Sequence, residues 1–228
     1  GSFNGEDIID IIVRHPATAK FVAAEIYDFF VSDDPNEDHI AQLAKAYEEC
    51  NYVISEVLRF LFNSDFFKES FFGKVKSPAE IVAGTAIQAG RHSNPYEFGL
   101  IKLPSKAANM GQQLLNPPTV EGWHTGHEWI DSGTLSERVG FVERQFEDLS
   151  KPGVRDMVDR VGSLDDDPSQ LVDRCLDLLG SINVSEQTYD SLVAYAKELS
   201  SIENDVEGSV GVHNLLQMTA STVDYQFE

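Results

Sequence analysis

The densest run of reactive residue types is Glu121-Gly122-Trp123-His124-Thr125-Gly126-His127-Glu128-Trp129. Two imidazoles three residues apart, with a carboxylate beside the second, are the donor types that hold a divalent metal such as zinc. His124, His127 and Glu128 are the candidate ligands, and the reaction they would support is metal-assisted hydrolysis. The order differs from the helical His-Glu-x-x-His arrangement, because Gly126 lies between the histidines and the glutamate follows them. A second chemistry needs no metal. Trp123 and Trp129 offer flat apolar faces on which a sugar ring can stack, and Gly122 and Gly126 permit the backbone angles of a presenting loop. Burial of both rings as loop anchors is the structural alternative.

Other constellations are weaker. The aspartate runs Asp33-Asp34 with Asp38, and Asp165-Asp166-Asp167, lack the loop length or the glycine of a calcium-binding loop. They read as helix caps. No Gly-x-Ser-x-Gly elbow and no Gly-rich phosphate loop occurs. Cys50 and Cys175 are too few for a disulfide framework and read as buried thiols. His15 is expected at a helix junction, and His39 and His213 on helix surfaces. The phenylalanines from Phe60 to Phe72 read as core, and the acids from Glu203 to Glu207 as a solvated turn.

The elements that must carry these residues are helical almost throughout. Asn4 caps a first helix with Ile8, Ile9, Ile11 and Ile12 on one side. Pro16 starts a second, with Val22, Ile26, Phe29 and Phe30 at helical spacing. Asp34-Pro35 opens a third helix, to about Glu49, and a fourth spans about 52–62. Ser77-Pro78-Ala79-Glu80 is a capping box that begins a helix to about Ala89. The stretch from about 90 to 132 is rich in Gly, Pro and Trp and is expected to be irregular, with one helix near 105–115. Helices resume at about 134–149, 152–161, 168–179, 186–199 and 210–225. Ser32–Pro35 and Asp165–Pro168 each launch a helical hairpin by the same device. The fold class is therefore all-α: a multi-helix array of packed helical hairpins around an irregular central loop region. The expected division is 1–132, which includes that loop region, and 133–228, packed together as one globular unit.

Charge narrows the partners. The 228 residues hold 17 Lys and Arg against 38 Asp and Glu, a formal net charge of −21. Such a surface repels phosphate backbones, which excludes nucleic acid as a partner class. No apolar run approaches the roughly 20 residues of a membrane-spanning helix. Gly1-Ser2 reads as a cloning scar, so the native start is expected upstream.

Several segments taken together resemble one family. They are Phe3-Asn4-Gly5-Glu6-Asp7-Ile8, Arg14-His15-Pro16-Ala17-Thr18-Ala19, Phe29 to Pro35, Lys74 to Pro78, and Met110-Gly111-Gln112-Gln113-Leu114-Leu115-Asn116-Pro117-Pro118 running into Gly122-Trp123 and Gly126-x-x-Trp129. The chain resembles the C-terminal half of the bacterial family catalogued as domain of unknown function 1800. The resemblance implies an exported protein, periplasmic or extracellular, whose N-terminal half is missing here. It also implies a sulfatase-like exported protein as a partner. The leading reading is a non-catalytic helical module without a cofactor. It would bind a partner protein or a surface polysaccharide, with Trp123, Trp129, Gly122 and Gly126 at the ligand. The alternative is the metal-dependent hydrolase centred on His124 and His127. A third reading is that the chain completes the core of the missing N-terminal half.

Overall fold

The computed structural model describes residues 2–90, 101–200 and 205–227. Within them the chain is all-α, with twelve α-helices, short 3-10 turns and two isolated β-bridges. It divides into two compact units, Gly1–Lys74 and Val75–Glu228. The division expected at 132/133 falls inside the second unit. Residues 91–100 of the expected irregular stretch and 203–204 of the expected acidic turn lie outside the described residues, and 205–207 of that turn instead open the last α-helix (Asp205–Ala220).

The first unit holds α1 (Gly5–Val13), α2 (Pro16–Phe30), α3 (Glu37–Glu49), α4 (Ile54–Asn63) and a short α5 (Asp65–Glu69). Each start has a local cause. Asn4 and Asp7 form a reciprocal capping box for α1. His15 Nδ1 accepts the Ala17 N–H ahead of Pro16. For α3 the capping residue is Asn36 rather than Asp34, its Oδ1 accepting from Asp38 and His39. Asp33 is instead held at 2.9 Å by Lys74, which ties the loop after α2 to the end of the unit. The core is Ala19, Ala23, Tyr27 and Val31 against Ile40, Leu43 and Tyr47, closed by Val57, Leu61 and Phe66. His39 stacks on Phe66 at 4.4 Å between centroids and is half-buried, not a surface residue.

The second unit runs α6 (Pro78–Ala89), α7 (Leu103–Asn109), a 3-10 turn (Gly126–Trp129), α8 (Ser132–Phe146), α9 (Pro152–Val161), α10 (Pro168–Leu178), α11 (Glu186–Leu199), α12 (Asp205–Ala220) and a last 3-10 turn (Val223–Gln226). α7 stops well before residue 115 because Gly111, at φ +102°, takes the left-handed position. The Gln112 N–H then returns to Ala107 O and the Gly111 N–H to Ala108 O, a Schellman stop. α12 packs against α8, α9, α10 and α11, and its Val212, Leu215, Leu216 and Ala220 are all buried. His213, expected on the surface, is buried there and its Nε2 meets Phe146 O at 2.6 Å. The helix expected to run to Tyr225 breaks at Ser221, and the tail doubles back. Val75 bridges Phe227, the Lys76 N–H donates to Gln226 O, and the buried Arg138 donates to Lys76 O, so the first and last residues of the unit meet on α8. Burial holds the Arg138 guanidinium down to about 10, well above neutrality, so it remains a cation.

Candidate functional site

The Gly/Trp loop is built by turns. Asn116 and its two prolines carry the chain out of the helical region after α7. Thr119 O accepts the Gly122 N–H, and Thr119 Oγ1 accepts from Glu121, closing a tight turn with Val120 exposed at its tip. Gly122 and Gly126 sit at φ +111° and +59°, angles that glycine adopts without steric cost. At the far end Asp131 caps α8 through the Gly133 and Thr134 N–H groups, and these bonds hold its carboxyl below the usual range. Thr134 Oγ1 also donates to Trp129 O, which pins the loop to the helix.

The two tryptophans separate. Trp129 is only 6 % exposed, and its ring lies over Gly111, where a Cβ would stand 3.7 Å from Cζ3. That corrects the expectation of a ligand-facing Trp129: its face is spent on packing against the α7 stop. Trp123 is half-buried, as is Gly122, while Gly126 is buried. His124 and Glu128 are exposed and pair with each other, Nδ1 to Oε2. His127 is exposed too, its ring 6.3 Å from that of Phe227. Among the described residues no group of three His, Cys, Asp or Glu side chains is placed to hold a metal ion. The loop is thus held in shape by its glycines, caps and one buried indole, and its polar edge carries the His124–Glu128 pair.

Exposed chemistry concentrates elsewhere. In α1 every residue from Gly5 to Ile12 is exposed and none is buried, so Ile8, Ile9, Ile11 and Ile12 all face solvent. Farther along the first unit the rings of Phe29, Phe30, Phe62 and Phe67 form a continuous series at 4.6, 5.4 and 5.1 Å between centroids, the first two pairs edge-on and the third tilted. Phe29 is 70 % exposed, and Phe30 and Phe62 are exposed as well. The Phe60–Phe72 segment is therefore core only in part: Phe66 is buried, whereas Phe60, Phe62 and Phe71 are not. Their residue type favours the interior, and the exposed rings depart from it. Of the thiols, Cys175 is buried and Cys50 half-buried, and both are free.

No curated protein and no solved structure matches the chain. One family model does, over residues 1–227, and its description is "Protein of unknown function (DUF1800)". With nearly every residue inside that match, and an all-helical fold to go with it, the chain belongs to the DUF1800 family.

Proposed function

We propose that the chain is a non-catalytic helical binding module of an exported protein, and that it docks a protein partner on the apolar face of its first unit. The observation that carries this reading is α1. It has nine residues and no buried side chain, whereas an isolated helix shorter than about 12–15 residues is marginal in water unless packing supports it. A capping box and four exposed isoleucines make an interaction helix awaiting cover more economical than a solvated one. The aromatic series from Phe29 to Phe67 adds large rigid side chains of the kind that anchor interfaces.

Charge selects the partner's chemistry. Glu6, Asp7 and Asp10 lie on α1 beside the isoleucines, and the unit carries 6 Lys and Arg against 14 Asp and Glu. An apolar segment with a basic rim is complementary, while a second copy of this chain would bring like charges together. The export assignment rests on the motif resemblance.

An amphipathic Leu/Lys helical peptide of about 18 residues serves as the probe, with a Leu/Glu peptide of equal length as control. By calorimetric titration the Leu/Lys peptide should bind, and the Leu/Glu peptide should not. The Ile9→Asp/Ile12→Asp variant should weaken binding at least about tenfold, while Ile87→Asp on the second unit should leave it unchanged. Equal affinity for the wild type and the Ile9/Ile12 variant would overturn the reading.

A further inference from the structure

Three surface grooves differ in whether their polar groups are already committed to one another. The groove between α2 and α3 holds Lys20, Glu37 and Lys45, and these pair off: Lys20 with Glu37 at 2.7 Å and Lys45 with Glu49 at 3.5 Å. In the groove over α6, Lys76 Nζ donates to Tyr225 O, and the Tyr225 hydroxyl is shared between Gln88 and Thr85. The third groove, of about 480 Å³, lies between α8 and α12 with Tyr195 of α11 at its side. There Arg144 makes no ion pair among the described residues, and neither the Asn214 amide nor the Tyr195 hydroxyl has a hydrogen-bond partner among them. An unpaired guanidinium is unexpected on a chain with more than two acids per base.

The local sequence arranges this. Gly140 sits one turn before Arg144 on α8, and a Cβ there would stand 3.1 Å from Arg144 Nη1. The guanidinium therefore lies back along the helix, over the space that a side chain at 140 would fill. Gln217 lines the groove and is held by the donation of its Nε2 to Glu143 O, and its Oε1 accepts no hydrogen bond among the described residues. The half-buried ring of Tyr195 and the exposed Met218 add apolar surface. Planar guanidinium and amide groups each engage two neighbouring hydroxyls, and a tyrosine face packs on the C–H face of a pyranose.

We propose that this groove is a saccharide subsite, and that its ligand is an uncharged, polyhydroxylated pyranose chain. Glu143 and Glu147 flank Arg144 in the groove, and with the net charge of −21 they disfavour uronates and sulfated sugars. The groove belongs to the second unit and the protein-docking face to the first, so either proposal can fail without the other.

The test is a titration of the 228-residue chain with neutral hexasaccharides, namely β-1,4-linked glucose, xylose, mannose and N-acetylglucosamine and α-1,4-linked glucose, followed by NMR of the Arg144 and Asn214 side-chain N–H signals. Hexagalacturonate is the anionic comparison. At least one neutral chain should bind saturably below about 5 mM, and Arg144→Met and Asn214→Ala should each weaken it about tenfold or more. Gly140→Ala, which sets a Cβ 3.1 Å from Arg144 Nη1 while leaving every groove side chain present, should weaken binding as well. The proposal is overturned if no neutral chain shifts those signals, if hexagalacturonate binds more tightly than all of them, or if the Arg144 and Asn214 variants bind as the wild type does.

Discussion

The first unit, of 74 residues, builds its core from ten buried hydrophobic residues and exposes thirteen large ones. The second, twice as long, buries twenty-eight in its core and exposes nine among its described residues. Core size scales with length, but exposure does not. Scattered exposed apolar side chains are ordinary on any surface. Here they gather on one short unit, on a helix with no buried residue and along a run of touching aromatic rings. The second unit shows the opposite economy. Its longest helix, α12, is covered by four others, and even the ends of the unit are tied together over a buried arginine. The second unit buries about three hydrophobic residues for each large one it exposes, whereas the first exposes more than it buries.

That contrast can be broken most forcefully in the second unit. Gly153 opens α9 where a Cβ would stand 2.1 Å from Gln88 O, a backbone atom that cannot swing aside. Gly153→Ala should destabilise the second unit by about 3 kcal/mol or more. Hydrogen exchange should show faster opening of α6 and α9, with α2 and α3 unchanged. If α2 and α3 opened equally, the two units would be one cooperative body.

Each unit carries one cysteine, and the pair reports on both. Burial pushes the Cys175 thiol up to about 12 and hides it under α12, whereas Cys50 is half-buried at the end of α3. A thiol reagent at pH 8 should modify Cys50 at least about a hundredfold faster, with Cys175 reacting only as the second unit opens. Comparable rates would contradict the tighter packing assigned to α10 and α12.

Alkali should act on the second unit as well. Burial raises Tyr225 from 10.0 to about 12 and Cys175 from 9.0 to about 12. Both bind their proton more tightly folded than unfolded, so their stabilising contribution is complete below about pH 9 and is lost as pH rises to 12. Arg138, lowered from 12.5 to about 10, works in the opposite sense above pH 10. Two groups outweigh one, and the melting temperature of the second unit should fall across pH 9–12. A flat profile would mean that Tyr225 or Cys175 is reached by solvent.

The smallest expected effect sharpens the comparison from the other side. Ile12→Asp in α1 should change stability by no more than about 0.5 kcal/mol, because that residue is 56 % exposed. A loss of about 2 kcal/mol in a denaturant titration would show that Ile12 is buried in solution, which the exposed α1 forbids.

Helix starts were legible because their causes are local. Ser77 with Glu80, Pro152, Pro168 and Ser185 before Glu186 each mark their helix to within a residue. Stops were less so: α7 stops at Gly111, six residues before the next proline, and α12 ends at Ala220 with no proline or glycine beside it. Exposure was the least legible property. Periodicity groups Ile8 with Ile12 and Phe29 with Phe30, but whether that face meets the rest of the chain depends on distant contacts. The same limit applies to the Gly/Trp loop, whose composition is equally compatible with a presented ring and with the packed one found at Trp129. Nothing local in the sequence marks Arg138 as buried, because its cover includes the returning tail at Gln226.

The most direct measurement places a photoreactive benzophenone side chain at Ile9, Phe29 or Phe62 and, for comparison, at Ile87 or Leu115 in the second unit, within the cell that makes the protein. All five positions are exposed, so accessibility to the label does not bias the result. The account predicts discrete protein adducts from the three first-unit positions, reduced by Ile9→Asp/Ile12→Asp, and none above background from the other two. Adducts of equal yield from both units, or none from the first, would contradict it.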